Sequence, residues 1–470
     1  MRTLGLASLL SVLACAPATP VPPVPRAPLP AAPAPKPSVE PPAASAAPLA
    51  APADAPIVFI ENDYPRALAE ARARKVPVFI DTWATWCHTC LSMQSYVFPD
   101  PSLRRLSSRF VWLSIDTERD ENAALATKLG VRVLPTLYVL DATTEEPVLA
   151  WPGSLTAVEL AGLLDDAEVA AKRGDAGGEA AAALLRGHRA SADHKIDDAI
   201  ADYRAALAAA PAGWARRPQA VDALVMRLQD AKLLAACVTT ASDEGPKMPP
   251  GTALADVLRA AIGCAGDLPA KSPERARLPE LAALGERVAS DLAQPILADD
   301  RSDLYDYVVG ALRDLGRGDD VKRVARAWAA FLEDQAGRAT TASARAVFDA
   351  HRLLAYTAVG EPQRAVPMLQ QSERDFPDDY NPPARLAKAY LDLKRYDDSL
   401  ASVKRALDRA YGPRKLRLWA LEADVYEAKK DRASARQALR DALAFAGTVP
   451  MTSGYPKLRD ALAQRLARMK

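Results

Sequence analysis

Neither sign of charge is in excess in this chain. Across 470 residues, 60 Lys and Arg stand against 59 Asp and Glu. A nucleic-acid binder held by phosphate contacts needs a basic surface, so that class is set aside. Aromatic residues are scarce at 6%, and histidine is rarer, with 4 in the chain. His188, His194 and His351 have no partner spacing that points to a metal and read as surface or packing residues. No metal and no cofactor is expected. No apolar run reaches the roughly 18 residues that a membrane-spanning helix requires. There is no Walker-type loop, no Ser-His-Asp signature and no glycine-rich dinucleotide turn.

What is present is ordinary for a globular protein: 49% hydrophobic and 25% charged residues. The abundance of Ala, Leu and Arg favours helices. The N-terminus reads as an address. Arg2 precedes an apolar stretch from Leu4 to Leu13, and Val12-Leu13-Ala14-Cys15 follows. This resembles the lipobox of bacterial lipoproteins. The resemblance implies a signal peptide over 1–14, an acylated Cys15 and a membrane anchor. Ala16, which is not Asp, implies the outer membrane, with the protein facing the periplasm of a bacterial cell envelope. Residues 15–55 then form a Pro/Ala-rich linker, with 14 prolines between Ala16 and Ala55. Such a segment has too little to bury to order itself. As polyproline-II at about 3.1 Å per residue it would reach on the order of 100 Å.

Residues 56–171 alternate strand and helix signals. Ile57–Ile60 is a short apolar run. Tyr64–Arg74 reads as a helix, and Val76–Asp81 as a buried strand. Trp83-Ala84-Thr85-Trp86-Cys87-His88-Thr89-Cys90 opens a second helix. Phe110–Ile115 is another strand, and Asn122–Leu129 a short helix ended by Gly130. Leu134-Pro135-Thr136 leads into strand Leu137–Leu140. Val148–Trp151 is an edge strand, and a last helix starts at Thr156.

This order, with CxxC at a strand-to-helix turn, resembles the thioredoxin fold. The block Phe79–Cys90, the run Val97–Leu103 and Leu134–Thr136 resemble more closely the C-terminal periplasmic domain of the thiol:disulfide interchange protein DsbD and its relatives. A lone CxxC also occurs in zinc sites, so it is the surrounding pattern that gives the motif its meaning.

A cysteine at a helix N-terminus meets unpaired N–H groups and the positive end of the helix dipole, which favour its thiolate. Cys87 is therefore the attacking thiol, and Cys90, one turn on, the resolving one. By the resemblance, Asp81 is the family's buried carboxylate, a proton relay for the resolving cysteine; a strand-end cap is the plainer reading. Pro135 matches the family's cis-proline, with Leu134 pairing with substrate backbone. Trp86 shields the active-site face or packs in the core. His88, first rather than second in the inner dipeptide, either supports the Cys87 thiolate or is a solvated residue. Trp112 stands near the place of the thioredoxin lysine, which is missing. The implied partners are protein thiols and disulfides, with a membrane thiol reductase as electron donor by analogy.

Lys172–Glu179 is a polar, glycine-bearing hinge. Over 180–470 strand signals almost vanish. Tyr356, Tyr390 and Tyr426 recur in step with Ala365, Ser399 and Ala435 and with Leu369, Val403 and Leu439. This resembles tetratricopeptide repeats, an all-α helical-repeat architecture offering a protein-binding surface. Ala199, Tyr203, Ala206 and Pro211 fit the second helix of an earlier unit, whereas 215–345 is helical but does not parse. Cys237 and Cys264 lie on helices flanking a Pro/Gly loop, as a structural disulfide, buried free thiols or a redox relay.

The fold class expected is thus an α/β thioredoxin-like domain followed by an all-α repeat domain. The expected function is a membrane-tethered thiol–disulfide oxidoreductase, reductase-like in direction. The alternative is an envelope scaffold in which the thioredoxin fold only docks. Cys15→Ser should move the protein from the membrane pellet to the soluble fraction; a variant that still sediments with membranes contradicts the anchor.

Overall fold

The computed structural model describes residues 55–173, 178–450 and 455–469. Cys15, the signal segment and almost all of the Pro/Ala stretch lie outside the described residues, as does the middle of the expected hinge.

The sheet is built from β1 (Ile60–Glu61), β2 (Val78–Trp83), β3 (Val111–Asp116), β4 (Thr136–Leu140) and β5 (Pro147–Pro152). Its order is β1-β3-β2-β4-β5. β3 runs parallel to both β1 and β2, while β4 is antiparallel to β2 and β5. Strands buried on both faces read as continuous apolar runs rather than alternating ones, which is why β2 and β3 were legible. Side chains still alternate between two cores. Val78, Ile80, Val111 and Leu113 pack with Leu68 and Ala71 of α1 (Tyr64–Arg74) and Leu125 of α2 (Ala123–Lys128). On the other face Phe79 meets Trp112, with ring centroids 4.7 Å apart. Trp112 is thus a core residue.

The helix that begins at His88 is α-helical to Ser92 and continues as a π turn, Met93–Val97; it is called the redox helix. α3 (Ala157–Arg173) closes the domain and covers the Phe79 face with Leu160 and Leu164.

Past it, every element is helical: α4 (Glu179–Ala192), α5 (Ile196–Ala209), α6 (Arg217–Asp230), α7 (Leu234–Glu244), α8 (Thr252–Asp267), α9 (Leu278–Ser290), α10 (Ala298–Asp314), α11 (Gly318–Arg338), α12 (Ala342–Ala346), α13 (Asp349–Val359), α14 (Ala365–Asp375), α15 (Asn381–Asp392), α16 (Tyr396–Arg409), α17 (Lys415–Ala428), α18 (Arg432–Ala446) and α19 (Tyr455–Arg468). The repeat positions behave as small residues at helix crossings should. Ala365, Ser399 and Ala435 are fully buried, and so are Leu369, Val403 and Leu439 behind them. α4 and α5 cross closely at Gly187, where a Cβ would lie 2.5 Å from Tyr203 Cε1. Tyr203 hydroxyl in turn is 3.0 Å from His188 Nδ1 and 3.0 Å from Ser191 Oγ. His188 is therefore a packing residue. Cys237 of α7 and Cys264 of α8 are joined as a disulfide, with Cα atoms 6.4 Å apart.

The core on the Phe79 side does not stop at the domain edge. It runs from Leu137, Trp151 and Leu160 into Leu184, Tyr203, Val221 and on to Trp328 and Tyr356. The Trp151 ring lies 5.7 Å from that of His188. The sheet and the helices therefore share one hydrophobic interior. That continuity predicts a single melting transition by both helical circular dichroism and tryptophan fluorescence. Leu160→Ala should lower stability by about 2–5 kcal/mol without splitting the transition; two separated transitions would show that the halves are independent.

Candidate functional site

Cys87 is the N-cap of the redox helix, with extended φ and ψ of −79° and 98°. Its Sγ accepts a hydrogen bond from the Cys90 N–H at 3.1 Å, and the two cysteines form a disulfide with Cα atoms 5.2 Å apart. Cys90 is fully buried, and Cys87 is 4% exposed. The turn sits at the C-terminal end of β2, where ligand sites of open α/β sheets gather. Beside it the Leu134–Pro135 peptide bond is cis. Two bonds fix that loop against β2: Thr82 Oγ1 donates to the Thr136 carbonyl at 2.7 Å, and the Thr136 N–H donates to Thr82 Oγ1 at 3.1 Å.

These observations agree with the family matches. Residues 60–142 match the thioredoxin-like family, and residues 356–425 match the tetratricopeptide repeat family. Residues 60–142 are a thioredoxin-like domain. Similar curated proteins include the thiol:disulfide interchange protein DsbD of Cronobacter sakazakii, 36% identical over 87 residues, which is 18% of this chain and 15% of that one. The DsbD of Yersinia enterocolitica is 37% identical over 82 residues, covering 17% of this chain and 14% of that one. Thioredoxin C-3 of Corynebacterium nephridii is 36% identical over 90 residues, covering 19% and 57%. The chain therefore spans a small part of the DsbD proteins and over half of the thioredoxin. It also overlays on a tetratricopeptide repeat protein from Parabacteroides merdae at a TM-score of 0.39 and 8% identity, covering 60% of this chain and 97% of that one; a likeness that loose carries no argument. The repeats read from the tyrosine spacing are tetratricopeptide repeats on the strength of the family match.

Asp81 of the thioredoxin-like domain is fully buried on β2 and is no surface cap. Its Oδ2 accepts from Gln94 Nε2 at 3.3 Å, while Oδ1 has no hydrogen-bond partner. Burial drives its pKa up to about 7; the Gln94 bond opposes the rise and the Glu61 charge adds to it. A carboxyl that exchanges its proton near neutrality is suited to general acid–base work.

His88 is partly exposed, but its ring is partnered. Its Nδ1 lies 2.9 Å from Asp299 Oδ2 of α10 and 3.2 Å from His351 Nε2 of α13. Burial opposes the imidazolium, but the Asp299 and Asp303 carboxylates outweigh it and raise the His88 pKa to about 9. Asp299, which burial alone would push up, is held well below the usual carboxylate range by His88 and His351.

Trp86 does face the site, though not openly. Its Nε1 donates to Glu118 Oε1 at 2.9 Å, and the Arg414 guanidinium lies 4.5 Å from its ring centroid. Tyr455 hydroxyl donates to the same Glu118 oxygen at 2.7 Å. Asn381 Nδ2 donates to Thr85 Oγ1 at 3.1 Å, and Tyr411 hydroxyl bonds Asp116. On the other flank Tyr96 hydroxyl donates to the Ala344 carbonyl at 2.9 Å. Helices α12, α15 and α19 and the segment at Tyr411 and Arg414 are thus docked on the active-site rim. Between them remains a cleft of about 730 Å³. Trp86, Cys87, His88, Thr89 and Leu134 line one wall; Leu353, Leu354, Arg385, Lys388, Arg417 and Leu418 line the other. The sequence reading named Cys87, Cys90, Asp81, Trp86, His88, Leu134 and Pro135 for the site. It missed Glu118, Asp299, Asp303, Asn381, Arg414 and Tyr455, and it missed any site role for His351. These residues carry no motif, and their partners lie 32 to 337 positions away.

An acid whose pKa is raised on folding favours the folded state only while it stays protonated. Stability from Asp81 is thus complete below about pH 4 and lost as pH rises to about 7, by up to about 4 kcal/mol. Asp81→Asn should flatten the pH dependence of the unfolding free energy over that range; an unchanged slope would place the Asp81 pKa near its ordinary value.

Proposed function

We propose that the protein is a thiol–disulfide oxidoreductase acting on protein substrates, reductase-like in direction. The observation that carries this is the Cys87–Cys90 pair at a helix N-cap, beside a cis Leu134–Pro135 bond, opening into a cleft. The identity to thiol:disulfide interchange proteins over this domain supports thiol–disulfide exchange, and reduction as its direction is part of the proposal.

In the reduced protein the Cys87 thiolate attacks one sulfur of a substrate disulfide. The substrate S–S bond breaks, a mixed disulfide forms on Cys87, and the first substrate sulfur leaves as a thiolate. Asp81 takes the proton of Cys90, whose thiolate then attacks Cys87 Sγ. The mixed disulfide breaks and the second substrate sulfur leaves. The substrate has gained two electrons and two protons, one passed from Cys90 through Asp81 and one from water, and the enzyme is left as the Cys87–Cys90 disulfide. A dithiol donor must return it to the reduced state, and a membrane thiol reductase fits that need. Trp86 and Leu134 bind the substrate segment beside Pro135.

The second cleft wall supports a protein rather than a small-molecule substrate. Leu354 is 45% exposed there, and Arg385 and Lys388 lie beside it. The tetratricopeptide helices thus act as part of the substrate site and not as a remote recruiter. Tethering through Cys15 in the bacterial envelope completes the proposal. Among the described residues no helix is long and apolar enough to cross a membrane.

Cys90→Ser leaves the attacking thiol but removes its release. It should accumulate mixed disulfides with other proteins, seen as reducible adducts on gels. The double variant Cys87→Ser/Cys90→Ser should form none. Equal adducts in both, or none in either, would overturn the oxidoreductase reading.

A further inference from the structure

The cluster around His88 poses a problem of protons that the thiol chemistry does not solve. His88 Nδ1 lies 2.9 Å from Asp299 Oδ2 and 3.2 Å from His351 Nε2. His351 Nε2 is 3.3 Å from Asp299 Oδ1 and 3.6 Å from Asp303 Oδ1. His88 Nε2 is 3.9 Å from Asp303 Oδ1. Asp299 and His351 are buried, and Asp303 is partly exposed.

A neutral imidazole carries one N–H, and a carboxylate only accepts. His88 Nδ1, placed against both oxygens of Asp299, must donate to it. His351 Nε2 then faces an N–H, which asks it to accept, and two carboxylates, which ask it to donate. If it donates to Asp299, it shares that carboxylate with His88, and two N–H groups are crowded side by side across 3.2 Å. If it accepts, its lone pair points at carboxylate oxygens.

A divalent cation removes both conflicts. Each ring then offers a lone pair instead of a proton, and the ion balances two carboxylates. One ligand atom from each of His88, Asp303 and His351 lies within 4.8 Å of the others. A tetrahedral zinc site with ligands at about 2.0–2.1 Å has neighbouring ligand atoms roughly 3.3 Å apart. The 3.2 Å between His88 and His351 and the 3.6 Å between His351 and Asp303 lie either side of that spacing, and His88 Nε2 stands 3.9 Å from Asp303 Oδ1. Imidazole and carboxylate together suit a borderline transition-metal ion rather than magnesium or calcium. Trp328, with its ring 5.9 Å from that of His351, backs the site on its buried side.

We propose that His88, His351 and Asp303, with the Asp299 carboxylate beside them, hold a divalent transition-metal ion of the zinc class. The ligands come from both halves of the chain: His88 from the redox helix, Asp299 and Asp303 from α10, His351 from α13. The ion therefore ties the residue next to the attacking sulfur to the helical wall of the cleft. This goes beyond the redox reading, and its test involves no turnover.

The experiment is calorimetric titration of zinc chloride into the untagged full chain carrying Cys15→Ser, with both disulfides oxidised so that no thiol is free. One equivalent should bind. Asp303→Asn should weaken binding at least 10-fold and His351→Ala should abolish it, whereas His194→Ala, at an exposed site elsewhere, should leave it unchanged. Zinc should also raise the melting temperature of the parent protein but not of Asp303→Asn, which keeps the test decisive should His351→Ala fail to fold. Absence of binding, or binding that survives Asp303→Asn undiminished, overturns the proposal.

Discussion

Cys87 Sγ accepts a hydrogen bond from the Cys90 amide, and the first turn of the redox helix is built around that acceptor. The geometry asks for a sulfur that can carry negative charge at the N-cap and a second sulfur one turn below it. Much of the domain follows from holding that turn still. β2 ends beneath it, the Thr82–Thr136 bonds pin the Pro135 loop beside it, and Phe79 and Trp112 fill the layer under it. Asp81, on the same strand, is buried without a full set of partners. A fold seeking stability alone would not place a carboxyl there, because an unsatisfied buried acid costs free energy. Its presence is explained if it moves a proton.

The helical half changes what this domain can do. Here Cys87 is 4% exposed, and Glu118, Thr85, Asp116 and Tyr96 are each bonded to the helical half around the rim. These contacts are polar, while beneath them the hydrophobic core is shared. A shared core resists rigid separation of the halves, so substrate must enter the cleft rather than meet a bare face.

The sequence reading succeeded where information is local. A buried strand, a CxxC at its end and a helix after it are contiguous, and their periods differ enough to be told apart. Tyr356, Tyr390 and Tyr426 announced their repeats because each occupies the same packing position one unit on. The reading failed where the fold alone decides. His351 sits in a helix like any other; nothing in its neighbours says that it will meet His88 across 263 positions. Asp299 lies in the stretch that does not parse, yet it is buried against two imidazoles. The stretch 215–345 carried helical periodicity but no repeated small residues, so its packing order could not be written down beforehand. The polar hinge near 172–179 suggested two loosely joined parts, because linker composition does not reveal that β5 packs on α4.

The central claim is that the Cys87–Cys90 disulfide is a working redox couple and not a structural staple. Equilibrating the full chain in glutathione buffers and quantifying the Cys87–Cys90 peptide by mass spectrometry would give its reduction potential directly. The account predicts a value in the range of exchanging couples, between about −270 and −120 mV. A value more negative than about −300 mV, typical of structural disulfides, would contradict it.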